Sequence, residues 1–217
     1  MSYLLRVVLP DRPGMLGAVA TAIGQAGGDI LSLDVVERGP GGAVDDLLVA
    51  VPPGGLADRL ISSAQSVPGV VVESLRPYLG GTELHRDLDL VDALAAAPER
   101  GLEVLAEASP GVFRAGWAVV VAQEPGGPVP LIASPGAPDL CGLDLPWLPL
   151  GTARRMAPEE PWVPERWTVL GTELAAAPVG RPTRAVLVGR AGGPRFRASE
   201  VLRLTHLAGI AATVSGL

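Results

Sequence analysis

The chain has 217 residues, which is enough for one or two domains that each bury a hydrophobic core. Apolar residues make up 48% of it and charged residues 18%, a balance that excludes an intrinsically disordered chain. The net charge of −6 and the lack of a basic stripe argue against a nucleic-acid partner.

Cysteine usage and hydropathy bear on the cellular compartment. The single cysteine, Cys141, excludes an internal disulfide framework and fits a reducing environment. No run of about 18 apolar residues is present, and the N-terminus lacks the basic and then apolar layout of a signal peptide. We therefore expect a soluble, cytoplasmic protein with no membrane contact. Cys141 itself is expected to be a small buried residue.

The chain opens with a short apolar strand at residues 4–9 that runs directly into a helix. From Leu16, apolar residues recur at Val19, Ala20 and Ile23, the i, i+3, i+4, i+7 spacing of a half-buried helix. This spacing predicts a strand–turn–helix unit at the N-terminus.

The turn of that unit is a candidate binding site. It reads Pro-Asp-Arg-Pro-Gly at residues 10–14, and its two prolines stiffen the backbone. Gly14 allows close approach of a ligand, and the first N–H groups of the helix are open donors that favour a carboxylate or a phosphate. A plain strand-to-helix connection is the alternative interpretation, since short loops of this kind are common.

The next segments complete a first domain. A strand at residues 30–38 and a returning strand at 43–51 flank a Gly/Pro turn; a helix at 56–64 and a strand at 70–75 follow. The order β-α-β-β-α-β predicts a ferredoxin-like α+β fold, with a four-stranded antiparallel sheet and both helices on one face. The other sheet face lacks helices, and the strand at 30–36 is an apolar edge. Both features predict a dimer.

The segment DRPGMLGAVATAIGQAGGDILSL, together with this order of elements, resembles an ACT domain, the small regulatory module of amino-acid metabolism. The resemblance covers residues 1–79. It implies edge-to-edge pairing of two copies and a small amino acid bound where the first turn faces the partner's second strand. Carried over by position, the ligand contacts are Asp11, Arg12, Gly14, Met15, Leu16, Asp29 and Ile30.

Asp29 departs from the family pattern, because many ligand-binding ACT domains carry Asn there. A carboxylate only accepts hydrogen bonds, so Asp29 suits a ligand ammonium group and cannot donate to a ligand carboxylate. The alternative is a turn residue that bonds its own backbone after Gly27-Gly28. Both interpretations stay open.

A seam at Gly80-Gly81-Thr82 precedes a second domain at residues 82–217. Helices are predicted at 87–97, 102–108 and 198–214, and strands at 116–123, 129–134, 167–177 and 183–190, with an irregular, proline-rich stretch at 135–164.

The segments RAVLVGRAGGPRFRASEVLRLTHLAGIAATV and GLEVLAEASPGVFRAGWAVVVAQ resemble parts of a GAF domain. This resemblance implies an antiparallel sheet with flanking helices that senses a small molecule or dimerises. Its pocket would lie within residues 135–164.

Patterns of catalytic and metal sites were sought in the remaining residues. Neither His85 nor His206 has a metal-ligand partner at suitable spacing, and Ser134 is not in a nucleophile-elbow pattern. The Asp45-Asp46 pair lies on a predicted strand, where neighbouring side chains point to opposite faces, so it does not form one paired site. The four tryptophans are expected to fill a core. We therefore predict no catalytic residue, no metal and no cofactor.

These features favour a non-catalytic sensor, in which the ACT-like domain binds a small amino acid and the GAF-like domain transmits the state or binds a second ligand. One alternative is a constitutive dimerisation module that binds no ligand and presents its GAF-like surface to a protein partner. Another is a nucleotide or other small-molecule sensor that acts through the second domain alone.

Overall fold

The computed structural model of the protein describes residues 1–78 and 86–217. The chain divides into two compact units, Met1–Leu84 and His85–Leu217, called the first and second unit below. The predicted boundary at residues 79–82, with its Gly80-Gly81-Thr82 seam, and His85 lie outside the described residues.

The first unit has the predicted β-α-β-β-α-β order. It consists of β1 (Ser2–Leu9), α1 (Met15–Gln25), β2 (Asp29–Gly39), β3 (Gly42–Ala50), α2 (Asp58–Gln65) and β4 (Val71–Tyr78). The strands form an antiparallel sheet in the order β2-β3-β1-β4, so β2 and β4 are the edges. α1 ends where the sequence predicted, since Gly27 adopts a φ of 85° and the Gly28 N–H donates to the Ile23 carbonyl at 3.0 Å.

The core of the first unit lies between one sheet face and the two helices. Alternate residues of β1 and β3 pack against α1 and α2, as the two-residue period of a strand requires. Both helices therefore cover the same face. The buried apolar residues of this core are Leu5, Val7, Leu9, Met15, Val19, Ile23, Ala43, Leu47, Val49, Val51, Leu60, Ala64, Val67 and Val70.

The same alternation sends Asp45 and Asp46 to opposite faces, as predicted. Asp46 pairs in register with Arg6 of β1, and Asp45 pairs with Val7. The Arg6 guanidinium binds the Asp46 carboxylate through two bonds, Nε to Oδ1 at 2.7 Å and the second terminal nitrogen to Oδ2 at 2.8 Å. Arg6 is 1% exposed and Asp46 0% exposed. This is a buried bidentate ion pair on the sheet face opposite α1 and α2.

The second unit contains a larger antiparallel sheet. Its elements are α3 (Arg86–Ala96), α4 (Gly101–Val112), β5 (Trp117–Glu124), β6 (Gly127–Ala133), β7 (Arg154–Met156), α5 (Glu165–Val169), β8 (Glu173–Val179), β9 (Arg181–Arg190) and α6 (Ala198–Val214). A single 3₁₀ turn, Pro98–Arg100, joins α3 to α4. The strand order is β6-β5-β9-β8-β7.

Each face of this sheet has its own apolar layer. One face packs against α3, α4 and α6. The other face is covered by the irregular segment before β8, and the four tryptophans are buried there, as predicted. The ring centroids of Trp117 and Trp167 are 5.1 Å apart, and those of Trp147 and Trp162 are 5.8 Å apart. The part of the chain expected to hold a GAF-type pocket therefore packs its own apolar side chains onto the sheet.

Arg190 links several elements of the second unit. Its buried guanidinium donates to the Phe113 carbonyl at 2.5 Å, the Glu200 carboxylate at 2.7 Å and the Pro194 carbonyl at 3.0 Å. Glu200 also accepts the Arg197 N–H at 2.9 Å, which caps α6. One arginine thus joins the end of α4, the end of β9 and the start of α6.

Two local predictions for the second unit are wrong. Residues 167–172 are not part of a strand: α5 contains Trp167, whose N–H donates to the Pro164 carbonyl at 2.8 Å, and β8 begins only at Glu173. A short apolar run is ambiguous between helix and strand, and here Pro164 starts a helical turn. Cys141 is exposed rather than buried, because it lies in a turn held by its N–H bond to Asp139 Oδ1 at 2.8 Å.

Within the described residues, no helix combines the length and the apolar character needed to span a bilayer.

The Arg6–Asp46 pair makes a testable contribution to stability. Arg6→Ala should lower the free energy of unfolding by about 3–5 kcal/mol, because it leaves the buried Asp46 carboxylate without its counter-charge. Urea denaturation of the full chain measures this loss. The double variant Arg6→Met/Asp46→Leu should recover most of it, since no buried charge is left. A loss below about 1 kcal/mol for Arg6→Ala, the level of a surface ion pair, would contradict the assignment.

Candidate functional site

The turn between β1 and α1 is built by two short-range backbone bonds. The Arg12 N–H donates to the Pro10 carbonyl at 2.8 Å, and the Met15 N–H donates to the Arg12 carbonyl at 3.3 Å. Gly14 is the N-cap residue of α1, with φ 90° and ψ −17°. Glycine adopts this left-handed conformation without strain, whereas other residues do so only at a cost, so the turn favours glycine at this position. Nothing lies within 4 Å of where a Gly14 Cβ would stand, so the approach to the turn is open.

The start of α1 has donors without acceptors. No side chain caps it, and its first turn carries no acidic residue. Across the described residues, neither the Leu16 N–H nor the Gly17 N–H has a backbone or side-chain acceptor. Free N–H groups and the positive end of the helix dipole favour an anion at this position. The exposed Arg12 adds a positive charge next to it.

Five of the predicted site residues lie together at this turn. Asp11, Arg12 and Gly14 are exposed, and Leu16 is half-buried. The Met15 side chain is buried in the core of the first unit, so its main chain is the part that can contact a ligand.

The other two predicted residues, Asp29 and Ile30, lie at the opposite end of the sheet. Asp29 pairs with Ala50 of β3, whereas the last residue of β1, Leu9, pairs with Ala43. The separation along β3 corresponds to about 23 Å at the rise of a strand. One copy of the chain therefore does not bring Asp29 to the turn. The two groups can contact one small ligand only if they belong to two copies.

Asp29 is the exposed first residue of β2. Within the described part of the chain its side chain accepts no hydrogen bond, so the turn-residue interpretation receives no support. Its carboxylate is available to an external partner.

Sequence reasoning considered Asp45 only as part of an Asp45-Asp46 pair and did not include it among the site residues, although it lies toward the turn end of the sheet. Asp45 of β3 is opposite Val7 of β1 and Val35 of β2, on the face that α1 covers. It is 3% exposed, and its Oδ1 has no hydrogen-bond partner among the described residues. The signal in the sequence was the polar residue at an inward position of an otherwise apolar strand.

The charge state of Asp45 reflects this environment. Burial raises the pKa of its carboxyl; the Arg38 guanidinium lowers that pKa, and the charges of Asp46 and Asp11 raise it. The folded protein therefore holds this proton to a higher pH than the unfolded chain does. The resulting stability is present at low pH and is lost as the pH rises through the folded-state pKa. Asp45 is thus a carboxyl that the fold stabilises poorly in its charged form.

The second unit has a separate concave surface between β7 and α6. The groove has a volume of about 400 Å³ and is lined by Ala153, Arg155, Phe196, Ala198, Val201, Leu202 and Thr205. Arg155 is the charged group of this lining.

Within residues 1–78 and 86–217, no cluster of three or more His, Cys, Asp or Glu side chains could hold a metal ion.

Comparison with known proteins supports a family for the first unit. The family model of the ACT domain matches residues 3–69, which include all the site residues described at the turn and at the start of β2. The match does not reach the second unit, so the GAF-like interpretation of residues 82–217 stays a prediction. No curated protein matches the chain.

Among solved structures, the chain is similar to one described as an unknown protein from Galdieria sulphuraria. The identity is 15%, the alignment covers 57% of this chain and 72% of that one, and the TM-score is 0.32. A likeness at this level supports no functional statement. The family match is the stronger finding: residues 3–69 match the family model of the ACT domain, which suggests a regulatory, ligand-binding module at the N-terminus.

Proposed function

We propose that the protein is a non-catalytic, cytoplasmic regulatory sensor whose ACT domain binds a small amino acid at a junction between two copies. The observation that carries this proposal is the uncapped start of α1, where open N–H groups meet an accessible glycine turn. ACT domains generally bind amino acids and dimerise, which agrees with this chemistry.

The α-carboxylate of the ligand would bind at the start of α1. The N–H groups of Leu16 and Gly17 would donate to it, and the helix dipole and Arg12 would add favourable charge. The stiff turn holds these donors in place before the ligand arrives, which lowers the entropy cost of binding.

The α-ammonium group would bind Asp29 of the second copy. Asp29 is exposed, and a carboxylate is the acceptor that an ammonium group requires. Since Asp29 and the turn lie at opposite ends of one sheet, the pairing of two copies is part of the proposal.

The edge strand β2 supports that pairing. β2 is an edge strand, so its outer hydrogen-bonding edge is unpaired within the described sheet. It also carries two exposed apolar side chains, Leu31 at 40% and Val35 at 46%. An exposed apolar edge of this kind pairs with another strand unless something covers it.

The second unit would report the bound state. As a GAF-like domain, it would transmit the state of the ACT domain or bind a second ligand, for which the groove between β7 and α6 is the available surface. Ligand binding shifts a conformational equilibrium only through different affinities for two states, so the protein must have at least two arrangements.

We predict that the full chain is a dimer at micromolar concentration and that Val35→Asp converts it to a monomer, because a charge at the apolar edge opposes pairing. Sedimentation velocity measures both states. The control is Val169→Asp, which places the same charge on a valine of α5 that is 78% exposed and should leave the dimer intact. A monomeric parent protein would contradict a site made by two copies.

Asp29→Ala should weaken amino-acid binding about tenfold to a hundredfold, since a hydrogen bond to a charged group contributes roughly 1.5–3 kcal/mol. A thermal-shift screen of amino acids and nucleotides first identifies the ligand, and calorimetric titration then compares parent and variant. Unchanged affinity in a variant that is still dimeric would place the ligand elsewhere. Stabilisation by a nucleotide alone would favour a sensor that acts through the second unit, and stabilisation by no compound would favour a constitutive module.

A further inference from the structure

Asp45 lacks the partner that its neighbour has. The Asp46 carboxylate is held by Arg6 through two bonds, whereas Asp45 Oδ1 accepts none from the described residues. Both residues are almost fully buried. A buried carboxyl oxygen without a hydrogen bond opposes folding, so Asp45 Oδ1 in an otherwise apolar layer needs an explanation.

The position of Asp45 suggests that role. It faces the side of the sheet that α1 covers, and its partner Val7 lies two residues before the end of β1. The turn that carries Asp11 and Gly14 follows immediately, and the Asp11 charge acts on the Asp45 carboxyl. Asp45 therefore lies toward the turn end of β1, on the face that α1 covers.

The start of α1 and the Asp45 carboxylate carry opposite charge. The start of α1 offers uncapped N–H groups and the positive end of a dipole, and Asp45 offers a carboxylate without a hydrogen-bond donor. A small zwitterion has a carboxylate and an ammonium group separated by two bonds through one carbon, so it complements both features at once. A ligand without an N–H or O–H donor leaves Asp45 Oδ1 without a hydrogen bond.

We propose that Asp45 accepts a hydrogen bond from the α-ammonium group of the ligand and selects amino acids over the corresponding hydroxy acids. This inference rests on the proposed function and adds a specificity residue to it. An ammonium group has three N–H donors, so Asp45 of one copy and Asp29 of the other can both accept from it. The ammonium group would then be bound by one carboxylate from each copy.

A ligand would have to reach Asp45 from the turn between β1 and α1. Gly14 carries no side chain, and no atom lies within 4 Å of its missing Cβ. The guanidinium of Arg38 partly neutralises Asp45. Arg38 is exposed on the adjacent strand β2, so its side chain can move away when a ligand cation binds.

The test compares matched pairs of ligands that differ in the amine alone: alanine with lactate, leucine with 2-hydroxyisocaproate, and phenylalanine with 3-phenyllactate. Calorimetric titration of the full chain uses each pair whose amino acid stabilises the parent protein in a thermal-shift screen. The parent should prefer the amino acid. Asp45→Asn should weaken binding of the amino acid about tenfold or more and weaken binding of the hydroxy acid much less, because only the ammonium group pairs its positive charge with the Asp45 carboxylate.

The controls separate a ligand contact from a structural effect. Asp92→Asn removes one exposed acidic charge from α3 of the second unit and should change neither affinity. Asp29→Ala should bind more weakly yet keep part of the preference for the amine, because Asp45 is still present. Without ligand, Asp45→Asn should melt at the same or a higher temperature than the parent at neutral pH, since it removes a poorly stabilised charge.

The outcomes distinguish this inference from the proposal beneath it. If the amino acid binds Asp45→Asn as tightly as the parent, or if Asp29→Ala loses the preference for the amine entirely, Asp45 is not part of the site and the proposed sensor function stands. If no amino acid of the three pairs binds the parent, the inference fails, and if the whole set of common amino acids also fails to bind, the proposed function fails with it.

Discussion

The alternation of side chains along β3 is the constraint on which the first unit depends. Asp45 and Asp46 are neighbours, and the pleat of the strand sends them to opposite faces of one sheet. Arg6 neutralises one carboxylate on the sheet face opposite α1 and α2, and the other carboxyl is on the face that these helices cover. A shift of one residue in the register would exchange these environments, so the same pairing that fixes the sheet also fixes the acidic side of the candidate site.

The positive side of that site comes from local backbone geometry. Gly14 provides a left-handed N-cap without a side chain, and the prolines of the turn restrict the chain on either side. α1 therefore begins with donors that the protein does not satisfy internally. Two features of the first unit cost stability: the uncapped start of α1, and the buried Asp45 Oδ1 without a hydrogen-bond partner among the described residues. Such features are common at functional sites.

The sequence allowed the first unit to be predicted almost completely, because each element has a clear period and each turn contains glycine or proline. The predicted turn residues lie together in the structure, since they are contiguous in the chain. The separation of Asp29 from the turn depends on the pairing of β2 with β3 and of β3 with β1, which a linear pattern does not give. Asp45 was correctly placed opposite to Asp46, but its burial without a partner depends on how α1 and the turn pack over the strand end.

The second unit was harder to predict for a physical reason. Its sheet is covered on one face by a segment without regular structure, in which tryptophans and leucines pack without a helical or strand period. α5 illustrates the difficulty, because its five residues are too few to show a helical stripe. The exposure of Cys141 follows from a single turn bond to Asp139, which composition cannot reveal.

The central claim is that the start of α1 binds the carboxylate of an amino acid. The most direct measurement is the change in backbone amide chemical shifts when the amino acid that stabilises the ¹⁵N-labelled protein is added. The account predicts that the largest shifts are at the amides of Gly14, Leu16 and Gly17, since these lie at the proposed carboxylate site. Shifts confined to residues 86–217, with the amides of the turn unmoved, would contradict it.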